Sequence, residues 1–418
     1  MVEVWLPYGN TEICARIPTE NYLGTLIPQN GAPLSNLKES LEYALSNPEG
    51  VEKTEGLIKH GRNVAIAIDG NLNQQIITTI LLTLFEKFID AGVSKSDITV
   101  IICFRPNKEI EKLSEDLHDR VIYHDYESED NIHIGGTRYG TRLYVNRVFY
   151  EADTKIVIGR VILHPFAGFT GGRELILPGI SGLKTIRNNH SLLIREDARA
   201  GNLENNPVHE DMMEAASKVG VDLCVSLGLN FRGVPLKIVC GDLEKSYYEM
   251  VNYVKKLIFV PIERKAEILI VSPGGEAEDY TLSNSVKSLI YAEEALRKEG
   301  SILLTAECSM GYGDENFYSW SQKFTDVKSL EKAIRRNYAL GGEYAYYLSK
   351  IKSRARVLLV SALPEIYSKQ VFGIETVRSI NKGLKEMLAQ LGRRSKVAVI
   401  PYGNSTLPLV NSGKGRGN

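Results

Sequence analysis

Two histidines, His164 and His190, flank a run that contains Gly168, Gly171, Gly172, Gly179 and Gly182, with Gly159 just before it. An imidazole can bind a metal through a ring nitrogen or move a proton near neutral pH. Glycine lets backbone N–H groups turn sharply and come close to a ligand. Thr170-Gly171-Gly172 therefore has the composition of a phosphate cradle beside a helix start. A tight connection with no ligand explains the glycines equally well, and a lone histidine is more often structural than functional. Two histidines around one glycine loop make Gly159 to His190 the candidate site. His164, Glu174 and His190 would also suit a divalent metal as a His/Glu/His set.

Read in full, the stretch is His164-Pro-Phe-Ala-Gly-Phe-Thr-Gly-Gly-Arg-Glu-Leu-Ile-Leu-Pro-Gly179. It resembles the signature His-x-x-Ala-Gly-[Phe/Tyr]-Ser-Gly-Gly-x-Lys-x-x-x-Pro-Gly of the lactate racemase-like family, whose members use a nickel-pincer nucleotide. The family's Asn-His appears as Asn189-His190, and its Asn-Pro-x-His-Glu-Asp as Asn206-Pro-Val-His-Glu-Asp211. Its Gly-Gly…Gln-x-x-Lys appears as Gly274-Gly275…Asn284-Ser-Val-Lys287, and its Ala-Glu-Cys-x-x-Gly-x-Gly as Ala306-Glu-Cys-Ser-Met-Gly-Tyr-Gly313. The matches run in order along nearly the whole chain.

The resemblance implies racemase or epimerase chemistry, or related hydride transfer, on a small 2-hydroxy acid. The cofactor carries the hydride chemistry while the protein orients groups and handles protons. Carried over by position, His190 is the nickel ligand, a role that suits imidazole beside soft sulfur donors. His164 is a proton-handling catalytic residue and Lys287 the substrate-side lysine. Thr170, Gly171, Gly172, Glu174, Pro178 and Gly179 occupy the cofactor loop, and Asp69 is a further cofactor-binding candidate. Asn73 and Asn284 stand at substrate-binding positions.

Three positions depart from the pattern. Glu174 replaces the lysine that holds the cofactor covalently, and a carboxylate cannot form that acyl bond. The nickel-pincer nucleotide, if used, is then held non-covalently. Arg173 and Lys184 are nearby but off the matched position. Phe104, in Ile102-Cys-Phe-Arg-Pro, replaces a second proton-handling histidine. Asn73, in Asp69-Gly-Asn-Leu-Asn-Gln, replaces an arginine and lacks its charged bidentate fork. A non-catalytic member that binds a nucleotide or small acid is the alternative. His124 and His133 lie in a polar stretch and read as surface residues; nothing in the sequence places them, His60 or His118 at the site.

The elements that must position these residues read as α/β. Val64–Ile68, Ile98–Cys103, Lys155–Ile158, Val221–Leu227 and Leu236–Val239 are predicted strands, with a helix over Ile76–Ile89 and another opened by Pro106. A second unit begins near Arg264, with strands Ile268–Val271, Ser301–Thr305 and Val357–Val360. Its predicted helix, Leu282–Lys298, has Leu282, Val286, Leu289 and Leu296 on one face. The expected architecture is two α/β domains with a cleft between them. The domains cover 1–260, rejoined by Val397–Ile400 within 397–410, and 264–395, with a disordered tail over 411–418.

The chain has 418 residues, 50 Lys plus Arg against 51 Asp plus Glu, a net charge of −1 and a pI near 6.7. That balance gives no electrostatic reason to expect nucleic acid. The longest apolar runs are too short to span a bilayer, and the N-terminus lacks a basic segment followed by an apolar run. Five cysteines, none in a Cys-x-x-Cys pair, argue against a disulfide framework or zinc knuckle. These features predict a cytoplasmic protein without nucleic acid or membrane as partner; the small 2-hydroxy acid is the partner that the resemblance implies.

Overall fold

The chain is described by a computed structural model over residues 1–51, 63–104 and 120–410. It folds as two α/β units. Asn30–Lys256 forms one, and Met1–Gln29 together with Leu257–Asn418 forms the other.

The Asn30–Lys256 unit is built on a six-stranded sheet. Its order is Pro235–Gly241, Leu223–Leu229, Thr154–Val161, Val64–Asp69, Ile98–Cys103, Val121–Tyr123. All neighbours run parallel except the antiparallel pair at the Pro235–Gly241 edge. Both faces are covered, as a parallel sheet requires. Val64, Ile66 and Ile68 point to a core shared with the helices Leu37–Ser46 and Gln74–Asp90. Ala65 and Ala67 point to the opposite core, which holds Leu175, Ile176, Ile180, Ala216 and Val219. Chain order runs outward in both directions from the boundary between Val64–Asp69 and Thr154–Val161. In open α/β sheets, ligands bind at the carboxyl ends of strands at such a reversal.

The other unit holds a six-stranded parallel sheet ordered Glu375–Thr376, Arg356–Val360, Leu296–Thr305, Ala266–Val271, Val397–Ile400, Tyr22–Thr25. An N-terminal hairpin, Val2–Tyr8 with Thr11–Ile17, packs Leu6, Ala15 and Ile17 into its core.

Most strands fall where the hydrophobic pattern predicts them, but the domain division differs at both ends. Met1–Gln29 does not belong with the first unit, and Val397–Ile400 does not rejoin it. Val397–Ile400 is wholly buried between Ala266–Val271 and Tyr22–Thr25. The Asn21 amide fastens that edge by donating to the carbonyls of Arg393 and Ser395, both at 2.8 Å. The helix expected over Leu282–Lys298 ends at Ala292, and Leu296–Thr305 is strand. Helix-favouring Glu, Leu, Arg and Lys there yield to parallel pairing with Ala266–Val271. The Pro106 helix, His60, His118 and the 411–418 tail lie outside the described residues.

Among the described residues no helix is long and apolar enough to cross a membrane.

Candidate active site

The glycine segment leaves the carboxyl end of Thr154–Val161, one side of the reversal in the sheet. Asp69 ends the strand on the other side. Arg160 bridges them, its Nε 3.1 Å from Asp69 Oδ2. Asp69 Oδ1 also accepts from the Asn71 N–H at 2.9 Å. Asp69 therefore orients a guanidinium, beyond the cofactor contact expected of it. Arg160 went unnoticed in the sequence; its signal is a cation at the carboxyl end of a buried strand, just before His164.

His164 sits on a two-residue ladder, paired with Gly168. Its Nδ1 accepts backbone N–H bonds from Ala167 at 3.0 Å and Phe166 at 3.3 Å. A nitrogen that accepts from amides carries no proton, so the neutral ring carries its proton on Nε2. His190 ends the helix Leu183–His190 with the opposite arrangement. Its Nδ1 lies 3.1 Å from Asn189 Oδ1, an acceptor, so Nδ1 holds the proton and Nε2 the lone pair. Burial drives the His190 pKa down to about 3, which keeps the ring neutral. Both rings meet Phe166 edge-on, with centroids at 4.4 Å for His164 and 5.1 Å for His190. One phenyl thus separates an imidazole that presents an N–H from one that presents a lone pair.

The intervening loop is largely bonded to itself. Thr170 Oγ1 donates to Arg160 O and accepts from Ile162 N, both at 2.9 Å. The Gly171 N–H donates to Glu174 Oε2 at 2.7 Å. Glu174 thereby supplies the acceptor oxygen that a phosphate would supply in a cradle. Burial is the main cause that pushes its pKa up to about 7, and nearby Asp69 adds to it. Arg173, the Gly171 bond and Arg160 work the other way. Gly171 and Gly172 have positive φ, and a Cβ on Gly171 would lie 2.7 Å from Arg160 O. Gly179 closes the turn through its N–H to Glu174 O at 2.9 Å, directly after Pro178.

Arg173 explains why the loop holds this shape. It is fully buried, and its guanidinium donates to the carbonyls of Gly171, Ala167 and Phe169 at 3.0, 2.9 and 2.7 Å. Its Nε donates to His209 Nδ1 at 3.1 Å, and its face covers the Tyr247 ring. Arg173 is thus consumed as scaffold, and the exposed Lys184 lies against Tyr144. Neither replaces the missing lysine.

The run from Asn206 to Asp211 is bonded into the scaffold in the same way. Asn206 caps the helix Pro207–Val219 and donates to Phe166 O and Asn202 O. Burial, followed by the charge of Arg173, drives the His209 pKa down to about 2. Asp211 accepts from Thr137, from Thr141 at 2.7 Å and from the Asn189 amide at 2.9 Å.

The other candidate positions have hydrogen-bond partners or backbone settings of their own. Asn73 caps the helix Gln74–Asp90, accepting from the Gln75 N–H at 2.8 Å. Phe104 takes a left-handed φ of 57° at the end of Ile98–Cys103, a backbone state unusual for a bulky residue. His133 is exposed as expected. His124 is not a surface residue: it is half-buried, with Nε2 3.0 Å from Ser181 O. Among the described residues, no three His, Cys, Asp or Glu side chains converge to hold a metal, so the His/Glu/His set is not assembled. Asn284 and Lys287 lie in the other unit, on the helix Leu282–Ala292, where the Asn284 amide donates to Glu278 O at 2.7 Å.

Comparison with known proteins identifies the family. Residues 8–201 match the family model of the lactate racemase N-terminal domain, and 262–407 that of the lactate racemase C-terminal domain. The lactate racemase of Thermoanaerobacterium thermosaccharolyticum is 29% identical over 97% of this chain and 99% of its own. That of Lactiplantibacillus plantarum is 30% identical over 96% and 99%. The structure of the Thermoanaerobacterium thermosaccharolyticum lactate racemase apoprotein superposes with a TM-score of 0.86 and 25% identity, covering 98% of this chain and all of that one. A Thermotoga maritima protein shares the fold at TM-score 0.66 and 16% identity, over 91% of this chain and all of that one. With both domains matched and two relatives covering nearly its full length, the chain belongs to the lactate racemase family.

Proposed function

We propose that this protein is a racemase, epimerase or related hydride-transfer enzyme for a 2-hydroxy acid, working with a nickel-pincer nucleotide held without a covalent tether. The observation that carries the reading is the opposite proton placement on His164 and His190 around Phe166. A buried neutral imidazole with its lone pair on Nε2 suits a soft metal. The absence of a three-residue metal set among the described residues fits a metal whose other donors belong to a cofactor. His190 would be the protein's ligand to nickel, and the pincer nucleotide, when bound, would supply the remaining donors and the hydride-transfer chemistry. Glu174 has no amine to bind it covalently.

The chain's own groups then have distinct tasks. His164 presents Nε2–H to the 2-oxygen of the substrate and polarises it in the 2-keto acid state, while the proton lost from the 2-hydroxyl passes to water. It acts as a neutral polariser because two backbone N–H groups oppose protonation at Nδ1. The guanidinium of Arg160, oriented through Nε by Asp69, supplies the charge for the substrate carboxylate that Asn73 cannot. Lys287, on the helix Leu282–Ala292, is the lysine that the resemblance gives a substrate-side role. A non-catalytic binder is favoured by one observation: the Glu174 carboxylate already occupies the Gly171 N–H.

The deciding experiment supplies the purified protein with the nickel-pincer nucleotide. It then combines native and denaturing mass spectrometry with a panel of enantiopure 2-hydroxy acids. The expected result is a nucleotide-sized adduct with nickel that survives native but not denaturing conditions, together with stereochemical exchange of at least one acid. Arg160→Gln should raise KM about ten- to hundred-fold, the loss of a charged hydrogen bond of roughly 1.5–3 kcal/mol, with a smaller change in kcat. Absence of adduct, nickel and exchange would leave the binder.

A further inference from the structure

We infer that Asn189 is the positioning residue that makes Nε2 the metal-facing atom of His190, and that Asp211 aims it. The inference deepens the proposed nickel role, but its hydrogen-bond part stands on the protein alone. An asparagine beside an imidazole could present either its oxygen or its NH2, and the two would place the ring proton on opposite nitrogens. Here the choice is forced from behind. Asn189 Nδ2 lies 2.9 Å from Asp211 Oδ2 and 3.2 Å from Val208 O, both acceptors. The NH2 must face them, so the carbonyl oxygen faces His190 Nδ1 at 3.1 Å.

Asp211 cannot turn away to release it. Thr137 and Thr141 donate to its two oxygens, and the carboxylate and Asn189 are both fully buried. The anchor is therefore a strand-hairpin loop (137–141), a helix (Pro207–Val219) and the end of another helix (Leu183–His190), tied at one carboxylate. The chain carboxylate–amide–imidazole does for His190 what an outer hydrogen-bond partner does for metal-bound histidines generally. It fixes the tautomer and the ring orientation. This assigns Asp211 and Asn189, each a member of a matched motif, a task that neither sequence position announces.

The test is histidine ¹⁵N NMR on the unloaded protein. His190 is expected as the Nδ1–H tautomer, and Asn189→Leu is expected to lose that preference while the other histidine signals hold. An Nε2–H tautomer in the wild-type protein would overturn the inference, as would an unchanged tautomer in Asn189→Leu. Should Asn189→Leu not fold, the wild-type Asn189 side-chain amide decides. A slowly exchanging proton supports the anchor on Asp211, and two fast ones sink it. In protein loaded with the pincer nucleotide, Asn189→Leu should release nickel to a chelator roughly ten- to hundred-fold faster. The expected tautomer in a protein that never takes up nickel would support the relay and withdraw the metal role, so the two failures are separable.

Discussion

Glu174 shows how a single replaced residue changes the chemistry of the loop. The carboxylate takes the Gly171 N–H, and burial raises its pKa to about 7. A carboxyl group whose folded pKa is raised favours the folded state while protonated, so its contribution is present below the unfolded value near 4.3 and is lost as pH rises through about 7. Between pH 5 and pH 8 that loss is about 2 kcal/mol after allowance for partial solvent access. Glu174→Gln removes the titration while keeping an acceptor for Gly171. Urea unfolding should show it gaining stability relative to the wild type on going from pH 5 to pH 8. Equal differences at the two pH values would refute the buried-acid assignment. The sequence shows that a lysine is missing here; it does not show that the loop's own N–H has been paired, because that depends on the fold of the four-residue turn.

At the scale of elements, the helix Pro207–Val219 serves as the scaffold of the glycine loop. Asn206 at its start ties Phe166 O, and His209 on its first turn accepts from the buried Arg173, which in turn holds three loop carbonyls. His209 must stay neutral to accept that bond, and its pKa is lowered to about 2, first by burial and then by Arg173. A lowered histidine pKa means that the unfolded chain takes up a proton near pH 6.5 that the folded chain refuses. Stability is then present above that pH and lost as pH falls towards 2. At pH 5 this group alone should cost about 2 kcal/mol. His209→Gln, which can accept from Arg173 and donate to Tyr248, should flatten the acid limb by that amount, read from denaturant midpoints at pH 7 and pH 5. An unchanged acid limb would mean that His209 does not carry it. The central strands of both sheets were legible from apolar runs such as Ile98–Cys103 because they are buried on both faces; the less buried edge strands Val121–Tyr123, Tyr22–Thr25 and Glu375–Thr376 were not. The contiguous run His164–Gly179 made the site legible in the same way. Arg160 was not, and neither were the roles of Asn189 and Asp211 within their matched motifs, since each acts through a partner brought close only by folding.

At the scale of the whole molecule, the chain starts in one unit, builds the other from Asn30 to Lys256, and returns. No local pattern announces this, because Tyr22–Thr25 and Val397–Ile400 look like any short strands until their shared neighbour is known. The arrangement makes the N-terminal residues a structural part of the returning unit. Leu6 and Ile17 are fully buried among Ile268, Ile270, Leu303, Leu358 and Val397. Burying two such side chains is worth about 3–6 kcal/mol, a large share of the roughly 5–15 kcal/mol that holds a typical domain together. Deletion of residues 1–29 also strips the edge strand Tyr22–Thr25 from Val397–Ile400. Hydrogen exchange on that deletion should show lost protection in Ala266–Val271 and Val397–Ile400. Protection should persist in Val64–Asp69 and Thr154–Val161, whose sheet takes no strand from the deleted segment. Leu6→Ala offers the milder version, with a loss of about 2–5 kcal/mol confined to the same strands. If Ala266–Val271 kept its protection after the deletion, the N-terminal hairpin would be an appendage, and the division of the chain into these two cooperative units would have to be redrawn.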